Sequence, residues 1–179
     1  MSGRPLVPTS DTALVVTVAL PDALDALRRR EIADANEGVP PHITLLYPFA
    51  PLAALDEALL DEIAGIVAGH VAFAVRLTEG RRWPDTLYAA VEPVHRLRAL
   101  QGDLAARFPS LPLYGGAHAF EPHVSIVEGE AVGRPDALDD PAWGGLPVEQ
   151  SVAAVDLIAK VGDRWETRRR FPLRDAAEA

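Results

Sequence analysis

Two pentapeptides with one shared pattern constrain this chain more than any other feature of its sequence. PHITL at 41–45 and PHVSI at 122–126 both run proline, histidine, apolar residue, hydroxyl residue, apolar residue. In an extended strand the side chains alternate between faces, so each histidine shares a face with the hydroxyl residue two positions later. Each proline favours an extended entry to the strand. The fold must therefore contain two strands that each present an imidazole beside a hydroxyl and bury the intervening apolar side chains.

The segments around these motifs alternate between helix and strand patterns. Apolar residues at three- and four-residue spacing predict helices at 22–35, 52–70 and 94–108. Alternating or β-branched residues predict further strands at 13–20, 71–80 and 86–93, and a terminal hairpin of 151–161 with 165–173 that turns at Gly162 and Asp163. The short turns favour an α+β fold with largely antiparallel sheets, and the recurring order of elements suggests a duplication.

Length and composition limit the kind of protein this chain can be. With 179 residues, we expect positions 1–179 to form a single domain. A formal net charge of -9 argues against generic binding to duplex nucleic acid and leaves a small nucleotide or an RNA terminus as the expected partner. The chain contains no cysteine, which excludes disulfides and thiolate chemistry. It shows neither a signal-peptide core nor an apolar run of roughly 20 residues, so we expect a cytoplasmic monomer with no membrane partner.

The two motifs together indicate acid–base chemistry on a phosphate. Histidine titrates near neutrality, so one ring of a facing pair can accept a proton while the other donates one. The hydroxyls of Thr44 and Ser125 are suited to the non-bridging oxygens of a phosphate, which accept hydrogen bonds. The residue types therefore point to phosphodiester cleavage without a metal.

The sequence resembles the 2H phosphoesterases, in particular the 2′-5′ RNA ligase-like and cyclic phosphodiesterase branch. HITL at 42–45 and HVSI at 123–126 match the paired signature of the family, and similarity extends over roughly residues 13–173. The resemblance implies a bilobal α+β fold with pseudo-two-fold symmetry, in which antiparallel sheets form a central groove and helices pack outside. The domain would then consist of two intertwined lobes with one motif each.

The resemblance also implies an activity and a role for each motif residue. The expected reaction is hydrolysis of 2′,3′-cyclic phosphates to 2′-phosphates, or reversible 2′-5′ RNA ligation, with no metal and no cofactor. His42 and His123 would form the acid–base pair, and Thr44 and Ser125 would hold the phosphate. We expect His123 to activate water and His42 to protonate the departing oxygen, although the pseudo-symmetry allows the reverse assignment.

Simpler interpretations of the motif residues stay open at this point. The histidines could be core or turn residues, and Thr44 and Ser125 could reflect ordinary β-propensity. His118, Glu121 and His123 could be metal ligands, but their spacing in the sequence is not that of a typical zinc site. A non-enzymatic function also stays open: the protein could bind RNA ends or nucleotides without turnover.

Candidates for further substrate contacts come from the loops beside the motifs. We name Tyr114, Trp83 and Arg82 as candidate substrate-binding residues, because a base can stack on an aromatic ring and a guanidinium can face a phosphate. The arginine triplets at 28–30 and 168–170 are instead typical of solvated faces.

Overall fold

The computed structural model describes residues 11–116 and 119–175. Its strands are β1 (Thr12–Thr17), β2 (His42–Leu46), β3 (Phe73–Arg82), β4 (Thr86–Glu92), β5 (His123–Glu128), β6 (Val148–Val152), β7 (Ala154–Val161) and β8 (Arg164–Pro172). Its α-helices are α1 (Asp22–Glu31), α2 (Ala33–Asn36), α3 (Glu57–Ala68) and α4 (His95–Arg107). Within these described ranges, no helix has the length and apolar character that crossing a membrane requires.

The strands form two antiparallel sheets of four strands each. The first sheet has the order β2-β1-β7-β8, and the second has the order β5-β4-β3-β6. Each motif strand lies at one edge of its sheet, beside the strand that precedes it in the chain. The predicted α+β class with antiparallel sheets is confirmed, and the two motifs occupy equivalent places.

The two motif strands also share the same local irregularity. The pairing register of each strand shifts so that one residue is bulged, Leu45 in β2 and Ile126 in β5, directly after the hydroxyl residue. Burial follows the same order in both, with the histidine and the hydroxyl residue partly exposed and the next apolar residue buried. Bulges bend a strand and re-aim its side chains, and they are common next to active sites.

The helices cross between the two halves of the molecule. Helix α1 lies between β1 and β2 in the chain but packs against β5, whereas α4 lies between β4 and β5 but packs against β2. Strands β2 and β5 contact each other directly. One apolar cluster extends through both sheets and includes Ile43 and Leu45 of β2 and Val124 and Ile126 of β5, all fully buried. The apolar residues of both motifs thus anchor the strands to one shared core.

The terminal region differs from the sequence prediction in one respect. The hairpin of β7 and β8 turns at Gly162 and Asp163 as expected, with Gly162 at a φ of 65°. The segment expected as one strand at 151–161 is instead divided at Ala153, because β6 pairs with β3 of the second sheet and β7 pairs with β1 of the first. A strand that changes sheets has no signature in hydrophobic alternation.

Two predicted helices are also interrupted. The prediction of one helix at 52–70 is wrong at its start, since Asp56 caps α3 by accepting a hydrogen bond from the Leu59 amide at 2.9 Å and a short 3-10 turn precedes it. The helix predicted at 22–35 is interrupted at Ile32, whose extended backbone separates α1 from α2.

Candidate active site

His42 is held at one ring nitrogen by the backbone. Its Nδ1 lies 2.8 Å from the carbonyl oxygen of Pro40. A carbonyl only accepts hydrogen bonds, so Nδ1 carries the proton, and in the neutral ring the lone pair is on Nε2. That Nε2 lies 3.1 Å from Oγ1 of Thr44, which donates its hydroxyl proton to it. The first motif therefore combines a proton acceptor with the neighbouring hydroxyl, as the period-two spacing predicts.

His123 repeats this arrangement. Its Nδ1 lies 2.7 Å from the carbonyl oxygen of Glu121, again the residue two positions earlier. The same argument places the lone pair of the neutral ring on Nε2. Both strands thus fix the tautomer of their histidine through the backbone immediately before it, and both rings offer the same nitrogen to a ligand.

Burial lowers the pKa of both imidazoles. Desolvation lowers the pKa of His42 to about 4, against the opposing hydrogen bond to the Pro40 carbonyl, and the charges of Arg28 and His123 act in the same direction as burial. Desolvation also lowers the pKa of His123, opposed by the backbone carbonyl and the charge of Glu121. Both rings are therefore neutral at neutral pH before a ligand binds.

Two cavities meet between the motif strands. The His42 cavity has a volume of about 210 Å³, and the His123 cavity has a volume of about 770 Å³. Four residues line both cavities and form what we call the junction: Thr44, Tyr114, Ser125 and Glu128. Each histidine thus lies on one side of the junction, with both hydroxyls between them. The four motif residues therefore line two adjoining cavities, and the two hydroxyl residues belong to both.

Arg28 is a site residue that the sequence interpretation missed. It is 3 % exposed, and its Nη2 donates to the carbonyl oxygens of Val39 at 3.1 Å and Pro40 at 3.2 Å. The Pro40 oxygen is the one that also accepts the Nδ1 proton of His42. The interpretation of Arg28 as part of a solvated triplet is therefore wrong.

A signal for Arg28 was nevertheless present in the sequence. Arg28 lies four residues after Leu24 and one after Leu27, on the buried face of α1, whereas its neighbours Arg29 and Arg30 are exposed. A charged residue on the apolar face of a helix is stable only where it finds partners.

Aromatic rings surround His123. The Trp83 ring centroid lies 4.6 Å from that of His123 at an interplanar angle of 72°, and 4.1 Å from that of Tyr88. Tyr88 also contacts His123, with centroids 5.6 Å apart. Trp83 lines the His123 cavity, so this candidate lies in the site; Tyr88 was not among the candidates from sequence.

Tyr114 lies at the junction itself. Burial raises the pKa of its hydroxyl, and the nearby Thr44 side chain acts in the opposite direction. Its amide donates to the Tyr47 carbonyl at 2.6 Å, and its φ of 49° is in the left-handed region. Because such a conformation is uncommon for a residue with a Cβ, the loop must hold Tyr114 in place against Thr44.

Arg82 lies apart from the other candidates. Its guanidinium donates to the carbonyl oxygens of Val132 and Arg134, and it lines neither of the two cavities at the junction. Arg82 thus lies outside these two cavities, where its donors hold the turn that follows β5, and its role as a substrate contact stays a prediction.

The metal alternative involves one residue outside the described part of the chain. His118 lies outside the described residues, so the structure does not describe its suggested grouping with Glu121 and His123. Among residues 11–116 and 119–175, no group of three or more histidine or carboxylate side chains is arranged to hold a metal ion.

Comparisons with known proteins agree with this arrangement. The model of the family described as the 2′-5′ RNA ligase superfamily matches residues 16–164. E. coli LigT in complex with 3′-AMP has 16% sequence identity and a TM-score of 0.55, with 92% of this chain and 98% of that chain covered. TT0787 of Thermus thermophilus has 19% identity and a TM-score of 0.55 at the same coverage. A crystal structure described as a phosphoesterase has 18% identity and a TM-score of 0.58, also at that coverage.

These structural likenesses, at such low identity, show the shared fold. A search of the curated proteins found no match. The family model carries the assignment, because it spans most of the chain and includes both motifs. The chain therefore belongs to the 2′-5′ RNA ligase superfamily, whose members are 2H phosphoesterases.

Proposed function

We propose that this protein is a metal-independent phosphoesterase that hydrolyses 2′,3′-cyclic phosphates to 2′-phosphates. The observation that carries the proposal is the matched pair of imidazoles, each with Nδ1 bonded to the carbonyl two residues earlier. Their Nε2 atoms are left to exchange protons on the two sides of a junction that contains Thr44 and Ser125. General acid–base catalysis needs this combination of two proton-transfer groups and donors for the phosphate oxygens.

The proposed reaction is an in-line displacement at phosphorus. Nε2 of His123 takes a proton from water as the water oxygen bonds to phosphorus, and protonated His42 gives its Nε2 proton to the departing 3′-oxygen. The P–O3′ bond breaks, which leaves a 2′-phosphate and a free 3′-hydroxyl. The hydroxyls of Thr44 and Ser125 donate to the non-bridging oxygens, where negative charge increases in the transition state.

The electrostatics of His42 add a condition to this sequence of steps. Its pKa of about 4 leaves the ring neutral in the free protein, so it must gain a proton when the substrate binds. An anionic phosphate next to the ring supplies the reason, because an opposite charge at close range favours the imidazolium. Substrate binding and protonation of the acid are thus one coupled event.

Ligation would follow the same steps in the same direction, with an RNA 5′-hydroxyl in place of water: its oxygen bonds to phosphorus, the P–O3′ bond breaks, and a 2′-5′ phosphodiester with a free 3′-hydroxyl forms. The description of the matching family favours it as a second candidate. It would also need room for two RNA ends at a site in a chain of net charge -9. Because a negatively charged chain repels long RNA, hydrolysis of a small cyclic phosphate is the better-supported reaction.

We also propose that the protein is a monomer and is located in the cytoplasm.

Turnover of a substrate panel tests the proposal. The four nucleoside 2′,3′-cyclic phosphates are incubated with the protein and a chelator, and the products are identified by phosphorus NMR. We expect 2′-phosphates as the products. Absence of hydrolysis of every panel member would overturn the proposal, and saturable binding without turnover would indicate the non-catalytic module instead. Addition of an RNA with a 5′-hydroxyl, followed by analysis for a 2′-5′ linkage, measures the ligation alternative.

A further inference from the structure

The charges around the junction restrict which cyclic phosphate can bind. Resting on the proposed function, we infer that the substrate carries one phosphate only: a nucleoside 2′,3′-cyclic phosphate without a 5′-phosphate or a preceding nucleotide. An RNA terminus, with its chain of phosphates, is then a poor substrate. The side chains that line the three cavities next to the motif strands carry the charges that matter.

The His123 cavity is lined by carboxylates. Asp85, Glu121 and Glu128 contribute to its wall, and no lysine or arginine does so among the residues that the structure describes. Glu121 is paired with Arg98 at 2.9 Å. Glu128 is exposed and forms no ion pair with any described residue. A second phosphate in this cavity would therefore face negative charge without a cation to balance it.

The His42 cavity is lined by one arginine and two carboxylates among the residues that the structure describes. Arg28 is the only arginine or lysine in its described lining, where Asp34 and Glu128 also lie. The Nη2 group of Arg28 is already used by two backbone carbonyls. The described lining of this cavity therefore offers no second arginine or lysine for a further phosphate.

A third cavity, of about 610 Å³, continues from Tyr88 along the second sheet. It contains two arginines, but both are paired with carboxylates. Arg76 bonds to Glu149 at 2.7 Å, and Arg81 bonds to Glu79 at 2.9 Å. A nucleic acid strand that left the junction in this direction would find its phosphate sites already occupied by protein carboxylates.

The uncharged part of a nucleotide has a suitable place in the His123 cavity. Its volume of about 770 Å³ falls within the usual range for small-molecule sites. Trp83 and Phe120 supply aromatic surface there, on which a nucleobase can stack. The cavity thus fits a neutral nucleoside and opposes additional charge.

A pair of probes that differ by one phosphate tests this inference without turnover. Dissociation constants are measured by calorimetry for adenosine 2′-monophosphate and adenosine 2′,5′-bisphosphate. At low salt we expect the bisphosphate to bind at least about tenfold more weakly, because the added charge meets carboxylates. The ratio of the two dissociation constants should be smaller in about 0.5 M salt, because salt screens this repulsion.

Matched charge variants locate the effect. Glu128→Gln should reduce the ratio of the two dissociation constants about threefold, because it removes a carboxylate from the junction. Glu130→Gln makes the same change in net charge at an exposed position that lines none of the three cavities, and should leave the difference unchanged. Equal or tighter binding of the bisphosphate to the unmodified protein would overturn the inference, as would equal effects of the two variants.

The outcome is separable from that of the proposed function. An enzyme that hydrolyses the panel but binds both probes equally retains the proposed function and loses the inference. A protein that hydrolyses no cyclic phosphate but still prefers the monophosphate retains the charge selectivity and loses the proposed function.

Discussion

At the scale of single residues, the site depends on a hydrogen bond from each imidazole to a backbone carbonyl. The carbonyl groups of Pro40 and Glu121 fix the tautomers of His42 and His123, and the lowered pKa values keep both rings neutral before a ligand binds. Arg28 connects this chemistry to the fold, since it bonds to the Pro40 carbonyl and its charge opposes protonation of His42. Proton uptake and the position of Arg28 are therefore open to direct measurement.

Anion binding should be coupled to proton uptake. Both rings have pKa values below 6.5 in the free protein, so near neutral pH an anion that raises one of them must draw a proton from solution. Sulfate is the probe, because it does not titrate in this range. We expect its affinity to increase as pH falls from about 7.5 to about 5.5, and calorimetry in two buffers of different ionisation enthalpy should show net proton uptake. Proton release on binding would contradict the assigned protonation states.

Arg28 should act as a positioning residue. Arg28→Met keeps much of the buried stem but removes the charge and both carbonyl contacts, so we expect the pKa of His42 to rise in an NMR titration. We also expect kcat to fall by about ten- to a hundredfold, because the ring loses part of its support. Arg29→Met is the matched control, since Arg29 is exposed and paired with Asp25. An unchanged His42 titration in the Arg28 variant would argue against this role.

At the scale of elements, the connections into the motif strands are as important as the strands. Before β2, the chain docks on the terminal hairpin, where the Trp165 amide donates to the Glu37 carbonyl at 2.7 Å and Lys160 bonds to Glu37 at 2.7 Å. Gly38 follows with a φ of 107°, which favours glycine. This segment leads directly to the Pro40 carbonyl that holds His42.

Two glycine-to-alanine changes should have opposite effects on stability. A Cβ at Gly38 would collide with the Trp165 carbonyl oxygen and strain the backbone, so Gly38→Ala should lower the free energy of unfolding by about 2 kcal/mol. Gly102 lies within α4 with no atom near its Cβ position, and Gly102→Ala should raise that free energy by about 0.5–1 kcal/mol. Urea denaturation measures both. A stabilising change at Gly38 would be inconsistent with the backbone described for this segment.

Local pattern predicted most of the elements and the motif residues at the centre of the candidate site. The motif residues could be identified from the sequence because strand alternation is a local property and the pattern occurs twice. Arg28 and Glu128 were missed, since their roles arise only when α1 packs against β5 and the two cavities meet. The division of a predicted strand at Ala153 was missed for a similar reason, because long-range pairing decides which sheet each half joins.

At the scale of the whole molecule, the site exists because a helix that precedes each motif strand in the chain packs against the other motif strand. Helix α1 supports β5 and α4 supports β2, so each motif strand is positioned partly by the other half. One continuous core beneath both strands makes their relative position a property of the complete fold. A pair of histidines supplied in this way should work as one unit, and loss of either should remove the function of both.

Removal of the histidines tests the central claim most directly. The quantity to measure is kcat/KM toward a nucleoside 2′,3′-cyclic phosphate for His42→Ala, His123→Ala and the double variant, with His95→Ala, an exposed residue at the start of α4, as the control. We predict that each single variant loses at least about 10³-fold, that the double variant is no more than about threefold worse than either, and that the control is unaffected. A folded single variant within about tenfold of the unmodified protein, or losses that multiply in the double variant, would contradict a shared two-histidine site.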